Sequence, residues 1–282
     1  MATTFYNKAT LTYNGVTAVS NTVTGELADN LTVTKTALTD EYAAGSEKTY
    51  VISLANVGAT ELTGLTVTDD LGAYHFGEGE RTPLTYVDGS AKLFVGGAPQ
   101  AVTATAGPPL VFTGVSVPAG GSATLVYVAE TNVYTPLGTG ESVTNSVTVT
   151  GGTLAAPVTA SATISAADEP VLTIIKSLDP EVVTANGRLT YTFTISNTGS
   201  AADATDNVAV SDAFDPVLTS LTVTLNGVPM PAAGYSYDAA TGVFTTTPGA
   251  ITVPGATYTQ DAYTGAWTTT PGTAVLAVTG TI

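Results

Sequence analysis

The chain has 282 residues, 44% of them hydrophobic, and a net charge of −16 from 23 acidic and seven basic side chains. A surface this acidic repels phosphate backbones and anionic headgroups, so neither nucleic acid nor a membrane surface is an expected partner. The lack of cysteine excludes disulfides and thiolate chemistry, and no run approaches the roughly 18 apolar residues of a membrane-spanning helix.

The start, Met1-Ala2-Thr3-Thr4-Phe5, lacks the basic and apolar regions of a secretion signal. Asn14-Gly15 then separates Leu11-Thr-Tyr13 from Val16-Thr-Ala18, a strong hairpin signal because both turn residues accept positive φ. Alternation with a period of two recurs throughout the chain, and no long window shows a helical period. The chain also repeats itself. Leu31-Thr-Val-Thr-Lys35 matches Leu172-Thr-Ile-Ile-Lys176, and Thr49-Tyr50 through Asn56-Val-Gly58 matches Thr190-Tyr191 through Asn197-Thr-Gly199. Leu65-Thr-Val-Thr-Asp69 matches Val208-Ala-Val-Ser-Asp212. Gly96-Gly97 and Asn226-Gly227 are predicted as equivalent turns, and Tyr235 through Gly249 recurs as Tyr258 through Gly272, read as an extra hairpin.

The expected fold is all-β: two tandem immunoglobulin-like sandwiches, residues 28–167 and 168–282, preceded by a hairpin over residues 1–27. The ends of the repeats differ. Asn145-Ser-Val-Thr-Val-Thr150 closes the first repeat, and Asn7-Lys-Ala-Thr-Leu-Thr12 repeats that element at the start of the chain. After Pro271 the second repeat has no matching hairpin. The first 27 residues therefore read as a donor hairpin for the second domain of a neighbouring copy. A hairpin folding back onto its own second domain is the weaker reading, since the first repeat intervenes.

The ordered pattern Lys, Thr-Tyr-x-[Ile/Phe]-x-[Leu/Ile]-x-Asn-x-Gly, Val-[Thr/Ser]-Asp, Pro-Gly, Asn-x-[Ala/Val]-Thr-[Leu/Val] covers nearly the whole chain. It resembles the bacterial surface-repeat family catalogued as domain of unknown function eleven. Two-repeat members of this size without a secretion signal resemble the major subunits of spore appendages of Gram-positive bacteria. The resemblance implies an extracellular filament, on the spore surface, built from identical subunits. The alternative is an adhesin or ligand-binding module of a surface protein.

Conventional catalysis finds little support. With one histidine, His75, and no cysteine, common zinc sets and His-dependent triads are missing. Gly77-Glu-Gly79 lacks the third glycine of a dinucleotide loop, and Asp69-Asp70 reads as solvated acids rather than a calcium loop. No enzyme activity, metal or cofactor is expected. Strand parity points elsewhere. Lys35 shares a face with Leu31 and Val33, and Lys176 with Leu172 and Ile174. Asp69, Asp212, Asn145 and Asn7 likewise align with apolar neighbours. Isolated buried charges are costly, so Lys35, Asp69 and Asn145 should meet, as should Lys176, Asp212 and the Asn7 of another copy. A buried ion pair with an asparagine partner satisfies this. The arrangement also resembles that of Gram-positive pilin and adhesin domains, which implies Lys–Asn isopeptide bonds. Lys35–Asn145 would then form within one chain and Lys176–Asn7 between chains, with Asp69 and Asp212 as catalysts. Burial is expected to lower the lysine pKa and raise that of the aspartate.

Overall fold

The computed structural model describes residues 3–27 and 30–282. The Met1-Ala2 start and the expected boundary at residue 28 lie outside them. Nearly all regular structure is strand, as alternation requires, and among the described residues the only helices are two short 3₁₀ turns. The chain forms two compact units, residues 1–136 with 142–165, and residues 137–141 with 166–282.

The first unit packs two sheets face to face. One runs in the order Ala98–Gln100, Lys92–Val95, Ser122–Thr131, Glu47–Asn56, Leu31–Ala37. The other runs Thr103–Thr105, Leu110–Val117, Leu62–Asp69, Ser142–Gly151, Val158–Ala166, Glu41–Tyr42. Every second residue is buried: Leu31, Val33 and Lys35 on one sheet, and Val143, Asn145, Val147 and Val149 on the other. Interdigitated inner faces of this kind make an immunoglobulin-like sandwich. The shared Asn-x-Gly motif has a structural task at the strand end. Asn56 accepts from the Gly58 amide and donates to the carbonyls of Thr60, Val117 and Pro118. Asn197 accepts from Gly199 and donates to Ser200 and Pro254.

The second unit repeats the first sheet, in the order Leu172–Asp179, Arg188–Asn197, Gly272–Thr281, Thr219–Leu225, Val228–Pro229. Its other sheet has three strands among the described residues: Ser211–Ala213, Val243–Thr246 and Tyr235–Tyr237. In the first unit the strand carrying Asp69 pairs on both edges, opposite Leu110 and opposite Val147. Among the described residues its counterpart with Asp212 pairs only with the Phe244 strand. The predicted extra hairpin is present as Thr257–Gln260 with Trp267–Thr270.

The N-terminal hairpin has two paired stretches, Thr3–Asn7 with Val23–Leu27 and Thr10–Tyr13 with Val16–Val19. Asn14 and Gly15 have φ of 44° and 80°, so the turn is the type expected for Asn-Gly. Phe5, Asn7, Leu11 and Tyr13 share one side of the first arm. Facing the last three are Val23, Ala18 and Val16. Phe5 lies over Gly25, where a β-carbon would come within 2.3 Å of the ring. Both sides are bare: Phe5, Leu11, Tyr13, Val16 and Val23 on one, and Tyr6 and Val19 on the other, are each more than half exposed. An isolated two-stranded hairpin is marginal in water.

Candidate functional site

Three elements of the first unit converge on one buried cluster. Lys35 comes from the Leu31–Ala37 strand, Asp69 from the end of Leu62–Asp69, and Asn145 from Ser142–Gly151. Lys35 Nζ donates to Asp69 Oδ2 at 2.7 Å, with both side chains fully shielded from solvent. The second carboxylate oxygen accepts the Leu71 amide at 3.1 Å. No hydrogen bond joins Lys35 to Asn145. A tyrosine intervenes: the Tyr127 hydroxyl donates to Asp69 Oδ2 at 2.7 Å and accepts from Asn145 Nδ2 at 2.9 Å. Tyr50 stacks on Tyr127 with ring centroids 5.4 Å apart, and Lys35 Nζ sits 5.0 Å from the centroid of Tyr50.

Two polar atoms at this site are buried without a hydrogen-bond partner, Asn145 Oδ1 and the Tyr50 hydroxyl. Such atoms are uncommon in native cores, because each carries its desolvation penalty uncompensated. The side-chain carbonyl of Asn145 therefore lies bare in the core, on a side chain that one hydroxyl, that of Tyr127, links to the Asp69 carboxylate. Burial pushes the Lys35 amine down to about 8, against the pull of the Asp69 charge. Burial also raises the Tyr127 and Tyr50 hydroxyls, each further raised by Asp69.

These shifts set a pH dependence that reports whether Lys35 keeps a free amine. From pH 8 to its ordinary 10.5, the unfolded chain still binds the proton the folded one has released. Stability of a free-amine first unit therefore rises with pH across that window. Below pH 8 both states hold the proton and the burial penalty is present in full. Above the ordinary tyrosine pKa of 10.0 the trend reverses, since the folded state keeps tyrosine protons that the unfolded chain gives up. Urea midpoints from pH 7 to pH 10 measure this. A steeper upward slope is expected for the free amine than for an amide-linked Lys35, which has no proton to lose and leaves only the slope from Lys48, whose ammonium burial also pushes down.

The second unit brings together Lys176 and Asp212, whose Nζ and Oδ2 are hydrogen-bonded. Lys176 Nζ lies 4.5 Å from the centroid of Tyr191, and Phe193 and Phe214 stand near it. The expectation that Lys176 points into a core needs correction. Its side chain is 42% exposed where that of Lys35 is 0%. Ile174 is 54% exposed where its counterpart Val33 is 8%. Parity places both on the inner face as expected, but among the described residues no strand lies over it. Asn7, the third predicted member, stands exposed on the hairpin.

Several details differ from the sequence reading. Asp69 is fully buried, and Asp70 is no free acid either: its carboxylate accepts the amides of Gly72 and Ser146. This ties the strand of Asn145 to the turn after Asp69. Lys35 is joined by a second buried lysine, Lys48, whose ammonium binds the Glu41 carbonyl and the Thr39 hydroxyl. His75 lies exposed on the Tyr74–Phe76 strand. Tyr50 and Tyr127 were not among the predicted site residues. Their signal was the same parity, since Tyr127 alternates with Leu125 and Ala129, and Tyr50 with Ile52.

No family model and no curated protein matches the chain. Among solved structures it is similar to the major pilin subunit of Bacillus cereus at 11% identity, covering 86% of this chain and 63% of that one, with a TM-score of 0.38. The chain thus spans under two thirds of that pilin. It is similar to a C-terminal fragment of the major pilin of Streptococcus agalactiae at 13% identity, covering 78% and 79%, with a TM-score of 0.35. It is also similar to the collagen-binding domain of a Staphylococcus aureus adhesin at 7% identity, covering 48% and 97%, with a TM-score of 0.31.

Proposed function

We propose that this chain is the subunit of a filament, joined head to tail by insertion of the hairpin of one copy into the second unit of the next. One observation carries the reading: the bare hairpin repeats the strand for which the second unit has no counterpart among the described residues. Asn7 corresponds to Asn145, Ala9 to Val147 and Leu11 to Val149. Val147 and Val149 stand opposite Asp69 and Val67, so the same register sets Ala9 opposite Asp212 and Leu11 opposite Val210. Leu11, Val16 and Val23 would then cover Leu172 and Ile174. The unpaired edge at Ser211–Ala213 would gain a partner, removing an open edge and an apolar face together. A contact between two different surfaces propagates rather than closing on itself.

The same register carries Asn7 to Lys176 and Asp212. In the first unit, Lys35 passes a proton to Asp69 along their 2.7 Å hydrogen bond and the neutral amine attacks the Asn145 side-chain carbonyl carbon. The C–Nδ2 bond breaks, a Lys–Asn amide remains, and ammonia leaves with the surplus proton as ammonium. Lys176 and Asn7 undergo the same exchange across the joint, with Asp212 in the place of Asp69. The filament is an extracellular, spore-surface appendage on the resemblance of its repeats to spore-appendage subunits.

Negative-stain microscopy of the full chain and of the chain without residues 1–27 tests the assembly. Filaments are expected from the first and monomers from the second. A synthetic peptide of the missing segment should bind the shortened chain. Filaments from the shortened chain, or only monomers from the full one, would overturn the reading.

A further inference from the structure

The Tyr127 hydroxyl occupies an unusual place in the first unit. It donates to the carboxylate that holds Lys35 and accepts from the amide nitrogen that an isopeptide exchange would expel, at 2.7 and 2.9 Å. The hydroxyl of the stacked Tyr50 makes no such bridge, since Asp69 acts on it through charge alone. Nor does the second unit reproduce it. Tyr127 pairs with Tyr50, and the residue paired with the matching Tyr191 is Val278.

We infer that Tyr127 is a catalytic residue of the first unit, relaying the proton from Asp69 to the departing nitrogen of Asn145. The inference rests on the isopeptide reading given above. Expulsion of ammonia from the tetrahedral intermediate needs a proton on Nδ2, since an amide anion is a hopeless leaving group. Asp69 holds that proton after taking it from Lys35, but its Oδ2 faces Nδ2 only through the phenol. Once the amine has added, Nδ2 becomes pyramidal and gains a lone pair. The Tyr127 hydroxyl then gives its proton to Nδ2 as it receives one from Asp69. The C–Nδ2 bond breaks and ammonia departs. The attacking nitrogen returns its second proton to the Asp69 carboxylate, leaving a neutral amide, and that proton leaves with the ammonia. No oxidant or further reactant is needed.

The raised pKa of the Tyr127 hydroxyl fits this role. Burial keeps the phenol protonated, so it moves a proton only in concert and never stores charge in the core. The absence of a hydroxyl at Val278 separates the two sites in time. The internal bond closes soon after the first unit folds, while the joint lacks the relay and closes slowly, after a copy has seated.

The test follows bond formation from the moment of synthesis. The full chain and its Tyr127→Phe variant are made in a cell-free system, and the joined peptide containing Lys35 and Asn145 is quantified by mass spectrometry after digestion. Phenylalanine keeps the ring and its stacking. The variant should form the joined peptide on the order of 100-fold more slowly, the lower range for general acid catalysis, while its circular dichroism is unchanged. A second chain with 3-fluorotyrosine at position 127 alters phenol acidity with little change of shape. Its rate should shift, with a displaced pH profile, which a packing role would not cause. This arm stands even if the phenylalanine variant fails to fold. Equal rates in wild type and a folded Tyr127→Phe chain, or an unshifted fluorotyrosine rate, overturn the relay but leave the bond. Absence of the joined peptide in the wild type overturns both.

Discussion

Filaments boiled in detergent should run as a ladder of multimers, and Lys176→Ala or Asn7→Ala should reduce that ladder to a single monomer band. Detergent and heat remove the apolar contacts between hairpin and acceptor, which supply about 25 cal/mol per Å² only while water is excluded. A link that survives this treatment is covalent. The chain has no cysteine, so reducing agent should not change the pattern. Alanine at either position leaves the apolar residues of the hairpin and of the acceptor face intact. Filaments should therefore still be visible in buffer while the ladder is gone, which separates the bond from the docking. Complete dissolution of wild-type filaments to monomer in hot detergent would leave only non-covalent hairpin exchange. A ladder that persists in both variants would place the covalent joint elsewhere.

Alternation in the sequence located the inner face of nearly every long strand because a strand's side-chain period does not depend on its surroundings. Lys35, Asp69 and Asn145 were legible in this way, each on the side of Val or Leu neighbours. Parity reports a direction and says nothing of what lies opposite, which is why Lys176 was expected in a core and stands at an open face. The cover for Lys35 comes from the strand of Asp69, 34 residues on, and from the more distant Ser142–Gly151 strand, and among the described residues the second unit has no equivalent of the latter. Tyr127 was overlooked for a different reason. An aromatic at an inward position of an apolar strand is the ordinary way to fill a core, and nothing local marks its hydroxyl as bridging Asp69 and Asn145. The role of Asp70 was hidden too, since its partner Ser146 is 76 residues on. Short-range signals fared well: Asn14-Gly15, Gly96-Gly97 and Asn226-Gly227 all form the two-residue turns their chemistry demands.

Lys35→Ala should have the largest effect on the first unit itself. The substitution strands Asp69, whose carboxylate is fully buried and would keep only the Tyr127 hydroxyl and the Leu71 amide. Removing one partner of a buried ion pair costs about 3–5 kcal/mol. For a unit of this size that lowers the melting temperature by roughly 10 °C or more. The same change removes the nucleophile, so the mass deficit of one ammonia at this site should vanish and the peptides carrying positions 35 and 145 should separate on digestion. The two effects are distinguished by a double variant, Lys35→Met with Asp69→Leu, which removes both charges at similar volume. Buried pairs replaced as a whole are often neutral or better, so this chain should recover much of the lost ion-pair stability while still lacking the bond. Its remaining deficit against wild type, read from urea midpoints at pH 7, then measures what the amide link contributes by constraining the unfolded chain. The loop it closes, between residues 35 and 145, is long, and the entropy model for cross-links gives about 4–5 kcal/mol for loops of that length. A double variant as stable as wild type, together with a full-length mass for the wild type, would mean that Lys35 and Asp69 are an ion pair and nothing more.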